Sequence, residues 1–437
     1  MPILVYTSDV GGNPNYADLV TPQQSVIRAL LQQLTTDLIV ESGTAPNPGQ
    51  TLSETLTEIF NILIATDSGT GYVARYGYVD PASDRIGTTF AGVTLEAAPV
   101  LWTDPLHIPP GNVFSWRQWG SAGGSGAGAA CRAGVGSASI GGGGPSGGGG
   151  ANFWVCTRAD LIAALPIAFL TPLGGAGAVQ TVGNSVAITN GANGLPGALN
   201  SISGVRLLQT AGGGFNGTGG TGTGAGAGQA GAGGGLYTAT GLTVGGAPFE
   251  TPPVTSSTMW YQRGGGAPNT RLSSGASGTC PWCIWGGAGG GSANVVAALI
   301  HGARSRHGGC GGGQGGRTNL SGALTFPSAS EGGNHDISPA VAPWGGGGGT
   351  AGSTASEDGG DGPDGSSEEG GQGGGGGAPG SGATVETARG GRGGRGGFPG
   401  GGSGGGGGAY SSSGSVNAIG GEGRRGGDAL TLLTVLL

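Results

Sequence analysis

Cys280-Pro-Trp-Cys283, with His301, His307 and Cys310 downstream, is the set of side chains in this sequence best suited to chemistry. A CxxC followed by an imidazole and a further thiolate can offer three sulfur ligands and one nitrogen to zinc or an iron–sulfur centre. The second CxxC of a zinc ribbon is missing, and no βαβ pattern surrounds the motif as a redox dithiol would need. Buried thiols, or one local disulfide, are the alternative, so metal binding by these five residues stays open. The cysteines lie at 131, 156, 280, 283 and 310, an odd number that does not count out as a secreted disulfide framework.

Two charged stretches come next. Glu357-Asp358-Gly-Gly-Asp361-Gly-Pro-Asp364-Gly-Ser-Ser-Glu368-Glu369 could ligate Ca²⁺ through carboxylates and carbonyls, but it lacks EF-hand spacing; the alternative is a solvated loop. Arg389-Gly-Gly-Arg392-Gly-Gly-Arg395-Gly-Gly resembles an RNA-binding RGG box, yet only Phe398 stands near it as a stacking aromatic. A backbone with three residues per turn would instead place all three arginines on one outer face. His107, His301, His307 and His335 have no Ser or Asp partner at a catalytic spacing, and His335-Asp336 is an isolated pair. No catalytic, cofactor or metal residue is therefore assigned, and no enzymatic activity is expected.

These residues are held by an unusual chain. Of 437 residues, 110 are glycine. The tract 345–408 strings together Gly345 to Gly349, Gly373 to Gly377, the Arg-Gly-Gly repeat and Gly404 to Gly408. Each glycine costs a helix about 1 kcal/mol against alanine and weakens a strand interior. Two states fit such runs. One is a flexible tract. The other is a bundle of polyglycine II helices, in which missing Cβ atoms let backbones approach and pair between runs. The filling favours packing: Phe153-Trp154-Val155, Met259-Trp260-Tyr261, Pro281-Trp282-Cys283-Ile284-Trp285 and the terminal Leu430–Leu437 do not belong in a solvated linker. Order in the Asp358–Gly377 portion stays open.

Three regions follow. Residues 1–70 predict an α-helical hairpin. Thr21-Pro22-Gln23-Gln24 and Thr51-Leu-Ser-Glu54 read as helix starts, and Ile27, Leu30, Leu31, Leu34, Leu38 and Leu52, Leu56, Ile59, Phe60, Leu63 as apolar stripes. So small a hairpin cannot bury both stripes alone, which points to attachment or oligomerisation, or to packing on the region behind it. Residues 71–118 read as a small β-module or stalk, from Tyr72–Val79, Thr88–Leu95 and Val113–Trp116. Residues 119–437 read as a large glycine-rich domain with short strands such as Ala178–Val182, Ser185–Thr189, Gly204–Leu208 and Leu242–Val244. The expected class is mainly β and irregular.

Only 9% of residues are charged and the net charge is −7, which gives nucleic-acid binding no global support. All 17 basic residues are arginine, so no P-loop or Schiff-base lysine exists in the sequence. The opening Met1-Pro-Ile-Leu-Val-Tyr does not read as a secretory signal, and no apolar run reaches the length of a membrane helix.

The segments Ile108-Pro-Pro-Gly-Asn-Val-Phe114, Trp119-Gly-Ser-Ala-Gly-Gly124 and Gly141-Gly-Gly-Gly-Pro-Ser-Gly-Gly-Gly-Gly150 resemble glycine-rich tail-fibre and tail-appendage proteins of tailed bacteriophages. So does the closing Gly396-Gly-Phe-Pro-Gly-Gly-Gly-Ser-Gly-Gly-Gly-Gly-Gly-Ala409 with its final apolar strand. The resemblance covers roughly residues 105–437. It implies a virion location, an N-terminal attachment region reaching other tail or head proteins through residues 1–118, a homo-oligomer (a trimer), and a distal domain touching a host-surface glycan or protein. Trp260-Tyr261 and Trp282–Trp285 are the expected contact segments, with core packing as their alternative. A head fibre or capsid decoration protein is the same-class alternative. Gly286-Gly-Ala-Gly-Gly290 after a helical hairpin also resembles mycobacterial PE-PGRS surface proteins, although the Pro-Glu pair is absent. No nucleic acid, membrane insertion or cofactor is implied.

Overall fold

A computed structural model describes residues 74–109, 111, 113–133, 139–205, 207–222, 233–234, 260–262, 282–283, 287, 290, 301–319, 324–326, 329–335, 357–382, 388–413 and 415–436. The helical hairpin expected in residues 1–70 lies outside them, as do Leu242–Val244, Cys280 and Trp285. Within the described residues the fold is mainly β and irregular.

An aromatic sandwich forms the first half of the architecture. Seven strands lie in the order Trp260–Gln262, Ala151–Thr157, Val113–Trp119, Leu430–Leu436, Ala74–Val79, Val93–Ala97 and Thr89–Phe90. A second sheet lies in the order Leu207–Ala211, Asn200–Gly204, Ile167–Leu170 and Leu101–Trp102. Strand alternation turns Phe114 and Trp116 to one face, where Tyr78, Trp102, Trp154, Ile167, Ile202 and Leu433 meet them. Trp116 and Trp154 sit directly opposite across antiparallel strands, and their rings stack at 5.0 Å and 3°. The other face packs Val79, Leu95, Trp119, Leu430 and Leu432 around Phe398. The α-helix Arg158–Ala163 closes this end under a capping box between Thr157 and Asp160.

The separate β-module expected at 71–118 is not what the chain forms. Its strands share a sheet with Ala151–Thr157 and with Leu430–Leu436, and Ala74–Val435 is one compact unit. The reason is local. Val113–Trp119 runs straight into the glycine segment 120–129, and segments 141–150, 189–199 and 421–429 run straight into strands of the sandwich. A change in composition at 118 therefore marks a change of backbone along one continuous line, not a boundary between cores.

Glycine segments make the second half, and their hydrogen bonds repeat every third residue. The amides of 120, 123, 126 and 129 donate to the carbonyls of 150, 147, 144 and 141. Those of 121, 124, 127 and 130 donate to 198, 195, 192 and 189, and those of 122, 125 and 128 to 427, 424 and 421. The carbonyls of 121, 124 and 127 accept from 214, 217 and 220; those of 122 and 125 from 175 and 178; those of 126 and 129 from 406 and 409. Segment 120–129 is thus ringed by six others, three accepting and three donating. Segment 400–409 has its own ring, made by 391–397, 310–316, 374–380, 143–149, 421–427 and 126–129. Residues 357–365, whose order the sequence left open, join the edge of this array.

Such closeness leaves no room for side chains at most interior positions. A Cβ on Gly126 would stand 2.0 Å from the carbonyl oxygen of Thr218. Where a buried serine does occur, its hydroxyl replaces a direct backbone bond: Ser125 Oγ accepts from the Arg424 amide and donates to the Gly404 carbonyl. At the end remote from the sandwich, short strands such as Ala130–Arg132, Thr181–Gly183, Ala409–Ser411 and Ala418–Gly420 finish the segments.

Candidate binding surface

Of the thiol and imidazole set, Cys280 lies outside the described residues, and Cys310, His301 and His307 have the following neighbours. Cys310 is fully buried, with Sγ 3.6 Å from the Ser305 carbonyl and 3.7 Å from His335 Nδ1. His335 Nδ1 lies 2.9 Å from that same carbonyl and donates to it. His307 Nδ1 faces the Glu368 carbonyl at 2.9 Å, and His301 sits 3.7 Å from the Glu331 carboxylate. Cys283 pairs its backbone with Ser305 in a parallel bridge. Among the described residues, no group of three or more His, Cys, Asp or Glu is arranged to hold a metal ion. Burial pushes the Cys156 thiol up to about 12, against a smaller opposing pull from the Trp116 indole, so at neutral pH it is a thiol and not a nucleophile.

Burial also holds the His301 and His335 imidazoles below their ordinary range. The folded chain resists taking a proton that the unfolded chain accepts below about pH 6.5. Stability is therefore complete above that pH and declines as pH falls toward the lowered folded values. We expect a melting temperature that is flat from pH 8 to 7 and drops between pH 6.5 and 5. His335→Asn, which keeps an N–H for the Ser305 carbonyl, should flatten that drop. An unchanged slope in this variant would assign the acid sensitivity elsewhere.

The charged stretches are placed by the three-residue repeat. Asp358, Asp361 and Asp364 are exposed, and their carboxylates accept the backbone amides of Arg392, Arg395 and Phe398 at 2.7, 2.7 and 2.9 Å. The amides of Gly359, Gly362 and Gly365 return the bond to the carbonyls of 392, 395 and 398. These carboxylates do at the array's edge what a carbonyl of a further segment would do inside it. That gives the acidic repeat an explanation without Ca²⁺. Asp361→Ala removes the acceptor for one amide, and about 0.5–1.5 kcal/mol of stability should go with it. Hydrogen exchange checks this: the Arg395 amide should exchange faster in the variant, with the Arg389 region unaltered.

Arg389, Arg392 and Arg395 are all exposed, while Gly391, Gly393, Gly394 and Gly397 between them are buried. The next segment carries Glu422, Arg425 and Asp428 at the same spacing, the first two half-buried and Asp428 buried, and Arg392 and Arg424 both reach Glu422. Farther round, segments 173–182 and 189–198 show Ala176, Val179 and Val182, then Ala192, Leu195 and Ala198. No charged residue occurs between 161 and 205. One flank of the array is thus striped with charge and the adjoining flank is uncharged.

Two features of this body's surface are candidates for contact. At the end remote from the sandwich, segments 184–188 and 415–417 meet Arg132: its amide donates to the Ser185 carbonyl and its guanidinium to Asn417 Oδ1 at 3.3 Å. Val186 stands 70% exposed there. On the charged flank, a polar cavity of about 130 Å³ is lined by Asp84, Arg85, Arg395, Phe398, Arg425 and Asp428 over the backbone of Gly396, Gly426 and Gly427. The sequence pointed instead to Trp260-Tyr261 and Trp282–Trp285. Their described backbone lies in strands, Trp260–Gln262 against Ala151–Thr157 and Trp282–Cys283 against Arg304–Ser305. Asp84 and Arg85 sit in an ordinary Asp-Pro turn region, and nothing in their spacing signalled that they would meet residues more than three hundred positions away. No protein-family model and no curated protein matches this chain.

Proposed function

We propose that this chain is a non-enzymatic structural protein of a tailed-phage virion, a tail fibre or tail-tip adhesin that contributes to attachment to the host surface. The glycine segments are polyglycine II helices in this reading. Three residues per turn account for bonds that rotate through three neighbours, and ten residues at about 3.1 Å span roughly 30 Å. Residues 1–70 would attach the chain to other virion proteins and join copies, as a trimer.

The observation that carries the proposal is the interlocked array, which links an aromatic sandwich at one end to exposed loops at the other. Every glycine segment inside the two rings is tied to neighbours along its length, so loops at 184–188 and 415–417 are presented on a stiff support. A host-binding appendage needs that combination, because loops on a rigid scaffold lose little entropy on contact.

The test uses the full chain, fluorescently labelled, against a panel of candidate bacterial hosts. Selective binding to some hosts, with blocking of adsorption by a phage that infects them, is expected. Val186→Asp should weaken that binding while leaving the melting temperature unchanged. Absence of binding to every host, with the chain folded, would overturn an adhesin role.

A further inference from the structure

We propose that the cavity between Arg85, Arg395 and Asp428 binds an acidic sugar, taking its carboxylate on Arg395 and its hydroxyls on Asp84. This rests on the attachment reading for its biological setting, but its chemistry stands on the cavity alone.

Two of the carboxylates around the cavity are already occupied. Asp364 receives Arg85 through two N–H bonds at 2.7 and 3.1 Å and the Phe398 amide at 2.9 Å. Asp428 is buried and accepts Ser83 Oγ, the Gly174 amide and the Arg425 guanidinium. Both carboxylates are saturated and hold their arginines in place. Arg85 is further fixed over the Phe398 ring, 5.2 Å from its centroid. Two lining groups remain without a side-chain partner among the described residues: the guanidinium of Arg395 and the carboxylate of Asp84. Each is exposed, and each lines the cavity.

One free fork of donors and one free pair of acceptors define the ligand. A guanidinium holds a carboxylate by two parallel bonds. A carboxylate such as Asp84 needs donors, which sugar hydroxyls supply and an inorganic phosphate largely does not. The three arginines and three aspartates (84, 364, 428) cancel in formal charge, so the site is not a polyanion sink. A cavity of about 130 Å³ is below the usual range for a whole drug-sized ligand, so it takes the charged end of one ring from an open chain. A free amino acid would also offer a carboxylate and donors, but it lacks the hydroxyl edge and would want an enclosed pocket. Repetition of the site across copies in an oligomer would raise a weak single-site affinity by avidity.

The experiment is titration of the full chain with glucuronate, glucose, inorganic phosphate and alanine, read by calorimetry or ligand-observed NMR. Saturable glucuronate binding is expected, with glucose about tenfold weaker or worse, since it lacks the charge-assisted pair. Arg395→Ser and Asp84→Asn should each weaken glucuronate binding about tenfold. Arg389→Ser, which removes an equal charge two turns along the same segment, should leave it unchanged. All three side chains are exposed, and melting curves confirm that the variants fold. Absence of glucuronate binding, equal loss in Arg389→Ser, or preference for phosphate or alanine would overturn the proposal. The cell-binding assay run in parallel separates the two readings. Host binding without glucuronate binding removes this site alone, and glucuronate binding without host binding removes the attachment role alone.

Discussion

Gly404→Ala is expected to destabilise the chain by about 3 kcal/mol or more, at the upper end of what one added methyl group costs a packed interior. Gly404 lies in the segment at the centre of the second ring. Its Cβ would stand 1.9 Å from the Gly375 carbonyl oxygen and 2.4 Å from the carbon it is bonded to. Both obstacles are backbone, so no rotamer change relieves them. The Gly375 segment is itself tied on its other sides, its amide to the Gly360 carbonyl. Relief would require spreading several segments and lengthening their shared bonds. Buried alanines such as Ala122 and Ala127 show that the array admits a Cβ only where neighbouring segments are already spaced for it. The control is Ala176→Gly on the exposed flank, which should change stability by no more than about 1 kcal/mol. Calorimetric melting of the two variants decides the matter. Near-equal melting temperatures would mean that the segments are not held at the spacing described.

Trp116→Ala should cost about 3–5 kcal/mol, the range for emptying a fully buried aromatic site. Trp116 has no exposed surface, stacks on Trp154 at 5.0 Å, and leans on Trp102 at 6.0 Å and Phe169 at 6.0 Å. Removing it takes the common neighbour from three aromatic rings at once. Trp154 is also held by its indole N–H, which donates to Gln118 at 2.9 Å, so it cannot simply slide into the void. The consequence should reach beyond the sandwich. Asn200 lies at the junction, where its amide donates to the carbonyls of Trp119 and Leu430 as those chains pass from strand to glycine segment. Hydrogen exchange should therefore quicken in segments 120–129 and 421–429 of the Trp116→Ala variant. Trp116→Phe, which keeps a ring against Trp154, should lose substantially less. Fast exchange confined to the sandwich would show that the two halves unfold independently.

The three-residue spacing of Arg389, Arg392 and Arg395 was legible because their long charged side chains need the outer face, whereas Gly391, Gly393 and Gly394 between them are buried. The sequence therefore carries the array's surface as a pattern. The aspartates at 358, 361 and 364 have the same spacing, yet their role was not legible. It depends on lying beside residues 392–398, thirty-four positions away, and a carboxylate that caps an amide looks like one that binds calcium. Cys310 shows a contact that spacing did not signal: among the described residues its Sγ lies near His335 Nδ1 and the Ser305 carbonyl. Ligand spacing along a chain predicts contact only where the chain between is a short loop or a helix, and here glycine segments carry it the length of the array and back.

Composition alone determined that ordinary helices could not hold residues 119–437, since glycine runs there remove helix propensity. It also determined that something packs, since tryptophan and leucine punctuate the runs. Those are properties of residue type, and they act wherever the residues end up. Tertiary structure decided which segment lies against which, because identical glycine runs carry no label for their partners. It joined residues 74–118 to the last strand of the chain, and it brought Asp84 and Arg85 beside Arg395 and Asp428. For runs such as 120–129, 141–150 and 421–429 the pairing follows the strands they adjoin, whose side chains pack in the sandwich; the runs themselves, being nearly uniform backbone, carry little to choose a neighbour by.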